Sequence, residues 1–221
     1  MKRKKRALKD KSNPFHADST AKVDTISYPA RLNKFIAKCG ICSRRKAADL
    51  VKDGKITVNG ETVLEPFHMV HAKDQVQYQG RLISPEKQLI YILINKPRNV
   101  ITTTADEHQR KTVLDLIKDE AEERLFPVGR LDRNTTGLLL ITNDGDLAKK
   151  LSHPSHEVRK EYLVTLDLEV PETCLEQIRT RSMLEDGPVP LNAVAYRDEM
   201  KKQEVDIALH IGRNRIVRRI F

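Results

Sequence analysis

Residues 129–141 read Gly129-Arg130-Leu131-Asp132-Arg133-Asn134-Thr135-Thr136-Gly137-Leu138-Leu139-Leu140-Ile141, a polar loop that runs straight into a continuous apolar segment. The apolar run after Gly137 has the length of a buried strand, and Phe126-Pro127-Val128 precedes the loop. One carboxylate, Asp132, therefore stands on a strand-flanking loop between two arginines, where a polyanionic substrate could meet it. Asp, Asn and Thr are also ordinary turn formers, so the stretch acquires meaning only from what surrounds it.

The chain of 221 residues is 39% hydrophobic, enough to build a core in one large domain or two smaller ones. Forty Lys and Arg against thirty-one Asp and Glu leave a formal charge of +9, which favours a polyanionic partner. The longest aliphatic stretches, 89–94 and 138–141, fall far short of the roughly 20 residues that span a bilayer, which excludes a membrane-spanning helix. Three cysteines, Cys39, Cys42 and Cys174, cannot staple a secreted scaffold, and the expected compartment is the cytoplasm. Cys39 and Cys42 have metal-ligand spacing but lack a second pair, as do His68/His71 and His153/His156, so no metal is expected. Cys39 is expected in a core and Cys42 in a loop.

Outward from the loop, the chain divides into four parts. Residues 1–29 open with Lys2, Arg3, Lys4, Lys5 and Arg6, show no sustained apolar period, and read as a disordered basic arm. Residues 30–76 form a small domain. Leu32, Phe35, Ile36 and Cys39 mark one face of a helix ending at Gly40, Ser43 caps a second helix, and Asn59-Gly60 makes a tight hairpin. Arg31, Lys34, Lys38, Arg44, Arg45, Lys46, Lys52 and Lys55 lie off the apolar stripes, and phosphate contact is the better reading of so basic a face. Residues 77–87 are expected to link this domain to the next, at 88–221. There, Tyr162, Val164, Leu166, Leu168 and Val170 alternate on one strand, and Val205, Ile207, Leu209 and Ile211 on another. Helices are expected over 112–123 and 172–183, and the mixture argues for an α+β fold dominated by antiparallel sheet.

The segments Arg31-Leu32-Asn33-Lys34-Phe35-Ile36-Ala37, Ser43-Arg44-Arg45-Lys46-Ala47 and 54–60 resemble the alpha-L RNA-binding domain of ribosomal proteins. That module implies structured RNA and not any particular reaction. Four further segments, in order, resemble the ribosomal RNA pseudouridine synthases that carry such a domain at their N-terminus. They are Ile94-Asn95-Lys96-Pro97, the 129–137 loop, the stretch 153–162 ending Lys160-Glu161-Tyr162, and the stretch 212–219 ending Arg218-Arg219.

The resemblance implies an isomerisation of uridine to pseudouridine in ribosomal RNA, a step of ribosome biogenesis. The bond from ribose to the uracil nitrogen breaks, the base rotates, and carbon five joins the same sugar carbon, with no cofactor required. It implies Asp132 as the acting carboxylate and Arg218 as the cation that holds it, because a carboxylate buried against substrate needs a counter-charge. Tyr162 is implied to lie against the target uracil. Arg130 would fill the gap left by the flipped nucleotide, and Arg133 would contact RNA beside it. Lys96-Pro97 is expected to shape a turn or support the loop rather than to react. Such proteins usually continue for a further helix and strand, so a chain ending at Phe221 is expected to have a catalytic domain short at its C-terminus, with Arg218 less firmly held. A non-catalytic RNA-binding assembly factor is the competing reading. A helicase or methyltransferase is disfavoured, since no Gly-rich phosphate loop or dinucleotide fingerprint is present. A monomer is the default expectation.

Overall fold

The computed structural model describes residues 26–86 and 88–221, and its backbone separates into two units, 1–89 and 90–221. The basic arm up to residue 25 lies outside the described residues. Its expected last residues do not behave as an arm: Ile26 is buried in the core of the first unit, and the Tyr28 ring lies 6.5 Å from that of Phe35.

In the first unit, β1 (Ala30–Arg31) leads into α1 (Leu32–Lys38) and α2 (Arg44–Lys52). The periodicity of the sequence is realised directly, with Leu32, Phe35 and Ile36 from α1 and Ala47 and Val51 from α2 buried together. The Ser43 side chain accepts the Lys46 N–H at 3.3 Å and so caps α2. The strands β2 (Ile56–Val58) and β3 (Glu61–Thr62) form the hairpin at Asn59-Gly60, where both residues have positive φ. The short strand β4 (Met69–Val70) pairs with β1, and β5 (Val76–Tyr78) and β6 (Arg81–Leu82) complete a sheet ordered β3-β2-β5-β6.

One expectation fails here for a clear reason. Residues 77–87 are not a free linker, because Gln77 and Tyr78 pair with both β2 and β6, and the Glu86 N–H donates to the Lys38 carbonyl at 2.9 Å. Cys42 stands in the loop between α1 and α2 and is buried in the core, and Cys39, at the end of α1, packs half-buried against the same core. Burial, reinforced by the Glu86 charge, pushes the Cys39 thiol up to about 12.

The second unit holds two three-stranded antiparallel sheets. The first is ordered β7-β9-β8, from β7 (Tyr91–Lys96), β8 (Phe126–Pro127) and β9 (Gly137–Thr142). One face buries Leu139 and Ile141 against Val100, Val113, Ile117 and Leu125. After β9, Asp144 caps α3 (Gly145–Ser152) by accepting from two backbone amides. The second sheet is ordered β10-β14-β13, from β10 (Lys160–Thr165), β13 (Ala193–Tyr196) and β14 (Glu204–Leu209). Against it pack α4 (Glu172–Arg181) and the last helix, α5 (Ile216–Ile220), with the small hairpin β11 (Met183–Leu184) and β12 (Gly187–Pro188) between them in sequence. The whole is α+β, as the alternation of patterns predicts.

The long strand expected through Val170 stops at Thr165, because its partner β14 begins at Glu204 and the ladder runs out; Leu168 is 79% exposed. The helix expected over 112–123 shrinks to one 3-10 turn, Leu114–Leu116. The Asp115 carboxylate accepts both the N–H and the hydroxyl of Thr112, local bonds that compete with helix formation. Val113 and Ile117 are buried nonetheless.

Candidate active site

The loop between β8 and β9 is shaped by its own ends. Gly129 (φ +78°) and Gly137 (φ +137°) adopt conformations that side chains disfavour, which lets the chain leave one strand and enter the next abruptly. Between them the Thr135 N–H donates to the Asp132 carbonyl at 3.0 Å, closing a four-residue turn.

Two side chains from outside the loop fix it. Lys96, the last residue of β7, has no solvent exposure, and its ammonium donates to the carbonyls of Pro97 (2.9 Å), Val100 (2.8 Å) and Arg133 (3.2 Å). Burial lowers its pKa, and the charge of Asp132 works in the opposite direction. The Thr102 hydroxyl bonds both backbone groups of Leu131. Asp132 is thus bracketed at the residue before it and the residue after it, while its carboxylate is exposed. Among the described residues that carboxylate makes no hydrogen bond or ion pair. The family pattern flags Lys96 as a support, and the structure gives it that task; Thr102 carries no signal in the sequence beyond an ordinary threonine.

The expected Arg218–Asp132 pair is not formed. Arg218 is exposed on α5, and among the described residues its guanidinium makes no ion pair. Its neighbour Arg219 is drawn instead to Asp186 at 2.7 Å, and Arg213 bonds the Gly187 and Pro188 carbonyls at 2.9 and 2.8 Å. Successive helical residues point about 100° apart, so anchoring Arg219 on the β11–β12 hairpin turns Arg218 away from it.

Tyr162 stands on β10 opposite Ile207 of β14 and is 38% exposed. Burial raises its pKa, so at neutral pH it presents a protonated phenol and an aromatic face. The preceding Lys160 ties the start of β10 to the His210 carbonyl at 3.2 Å, just ahead of the 212–219 motif. Among the described residues, no hydrogen bond or ion pair joins Asp132, Tyr162 and Arg218 to one another. A cavity of about 570 Å³ between α4 and the last turn is lined by Leu166, Ile178, Leu184 and Phe221 among others, and none of the three belongs to its wall.

Arg130 and Arg133 are exposed on either side of Asp132. In the first unit, Arg44, Arg45 and Lys46 are exposed and fill the first turn of α2, which contains no acidic residue. Cations there oppose the helix dipole, an arrangement that an anion at that end would relieve. Lys52 sits exposed at the other end of α2, and Lys55 is paired with Asp53 at 2.9 Å. Arg31 lies over the Phe67 ring at 5.2 Å, and Lys34 is half-buried on α1. No group of three or more His, Cys, Asp or Glu among the described residues could hold a metal ion. No helix among them is long and apolar enough to cross a membrane.

The chain thus joins a small module with an exposed basic helix end to a sheet-borne loop with one bracketed carboxylate. The chain belongs to the RNA pseudouridylate synthase family, whose model matches residues 90–221, and it carries an S4 domain over residues 30–76. It is 41% identical to ribosomal large subunit pseudouridine synthase B of Bacillus subtilis, over 86% of this chain and 79% of that one. An uncharacterized RNA pseudouridine synthase of Aquifex aeolicus is 40% identical, over 86% and 77%. A dual-specificity RNA pseudouridine synthase of Salmonella typhi is 36% identical, over 86% of this chain and 64% of that one. Among solved structures, a pseudouridylate synthase aligns with a TM-score of 0.54 at 28% identity, over 86% of this chain and 81% of that one.

Proposed function

We propose that this protein acts in the cytoplasm as a monomer and isomerises a uridine of ribosomal RNA to pseudouridine during ribosome biogenesis. The observation that carries the site assignment is the bracketed position of Asp132: its backbone is fixed on both sides while its carboxylate is left unengaged. A group held in place but uncommitted is what an intramolecular isomerisation asks of its acting carboxylate.

The target nucleotide is flipped out of the RNA, at a cost of a few kcal/mol, because its glycosidic bond is inaccessible in the stack. Arg130 occupies the space it leaves, and Arg133 meets the neighbouring phosphates. Asp132 then acts on the sugar as the bond to the uracil nitrogen breaks. The base turns against the Tyr162 ring, carbon five joins the sugar carbon, and the proton of carbon five is lost as one is gained at the freed nitrogen. Burial of Asp132 under RNA removes its hydration, and Arg218 supplies the counter-charge in that bound state. Arg31, Lys34, Arg44, Arg45, Lys46, Lys52 and Lys55 hold the RNA through phosphate contacts. The similarity to the Bacillus subtilis enzyme directs the first choice of substrate to large-subunit RNA.

The test is to incubate the protein with large- and small-subunit ribosomal RNA transcripts and map pseudouridine by sequencing. One or a few defined sites are expected in the large-subunit transcript. Tight RNA binding with no pseudouridine in either transcript would favour a binding factor on the same fold.

A further inference from the structure

Thr102 lies between β7 and the 3-10 turn, half-buried. Its hydroxyl donates to the Leu131 carbonyl at 2.8 Å and accepts the Leu131 N–H at 3.3 Å. Among the described residues no backbone group bonds Leu131, so this one hydroxyl replaces both bonds that a neighbouring strand would make. Serine and threonine can do this because a hydroxyl both donates and accepts; valine, with the same shape, can do neither.

Thr102 is itself braced from the core. The Ile101 N–H donates to the Lys111 carbonyl and the Val113 N–H to the Ile101 carbonyl, each at 3.0 Å, and Val113 is fully buried. An unbroken run of contacts thus leads from the core of the first sheet, through Ile101 and Thr102, to the residue immediately before Asp132. The Leu131 side chain packs against the same core.

We propose that Thr102 is a positioning residue for the isomerisation, setting the point from which Asp132 projects toward the flipped nucleotide. Lys96 holds the far side, at the Arg133 carbonyl, but it also fills a core position and bonds two further carbonyls, so its loss has wider effects. Among the described residues, the Thr102 side chain hydrogen-bonds the loop at Leu131 alone. The role rests on the reading of Asp132 as the acting carboxylate.

The test uses the full chain with Thr102→Val, Thr102→Ser and Asp132→Asn, read by single-turnover rate at saturating RNA, RNA affinity, and amide hydrogen exchange. Thr102→Val is expected to slow the saturated rate about 10- to 100-fold, the scale on which small misplacements of a reacting group act. RNA affinity stays unchanged, the Leu131 amide exchanges faster, and the Val113 amide keeps its protection. Thr102→Ser restores the rate. A Thr102→Val rate equal to wild type, a slow rate that serine does not restore, or loss of Val113 protection alongside Leu131 overturns the role. If Asp132→Asn turns over like wild type, the Asp132 reading falls and the role with it, even where Leu131 exchange responds as described.

Discussion

The ammonium of Lys96, sealed from solvent, reaches the carbonyl of Arg133 at 3.2 Å, one residue past Asp132. A buried cation tolerates its surroundings only when its protons are satisfied, and three carbonyls satisfy this one. The same bonds make the last residue of β7 the floor of the loop.

Lys96→Met should therefore leave the Pro97, Val100 and Arg133 carbonyls unpaired and cost about 2 kcal/mol at neutral pH, measured by urea unfolding. Burial holds the folded pKa below the ordinary 10.5. The charged form is thus penalised in the native state, and the penalty is released as pH rises through the folded value toward 10.5. The advantage of wild type over Lys96→Met should widen on the alkaline side. A gap that is absent or narrows there contradicts the assignment.

Asp186 joins Arg219 and Arg213 to the β11–β12 hairpin, and the Arg219 hydrogen bond is the first cause holding its carboxyl below the ordinary range. A depressed carboxyl stabilises the fold above its unfolded pKa, and that contribution is lost as pH falls through the folded value. The group is exposed, so Asp186→Ala should barely move the melting temperature. Its larger effect should be a several-fold fall in turnover, through freedom of the helix carrying Arg218, and strong salt should shrink the difference between variant and wild type. An equal loss of stability and turnover at every salt concentration contradicts this.

The first turn of α2 carries Arg44, Arg45 and Lys46, all exposed. Replacing all three by alanine should weaken RNA binding and make the plot of log affinity against log salt shallower by about 2 to 3, since each phosphate contact contributes about 0.7 to 0.9. Filter binding across a salt series reads this directly. A weaker complex with an unchanged slope means that these residues do not meet phosphate.

The first unit was largely legible, because short amphipathic helices and an Asn-Gly hairpin are encoded by spacing and turn chemistry within a few residues. Gln79-Gly80 repeats the hairpin device, with both residues at positive φ, but its polar flanks read as a linker since only pairing with β2 reveals the strands. The apolar periodicity over 112–123 predicts a helix, but the bonds from Thr112 to Asp115 compete with it, a competition that periodicity does not register. In the second unit the loop bearing Asp132 stood out from sequence, whereas its supports did not: the Thr102–Leu131 contact spans 29 residues and joins two polar stretches with no shared pattern. The expected Arg218 partner rests on a motif alone, whereas on the same helix it is Arg219 that finds a carboxylate, at Asp186.

Release of tritium from RNA containing 5-tritiated uridine, followed in a single turnover by wild type and Asp132→Asn at matched RNA occupancy, tests the role of Asp132 most directly. Wild type should release tritium from its target uridine, while Asp132→Asn binds the RNA equally well and releases none. Tritium release by the asparagine variant at the wild-type rate would contradict the account.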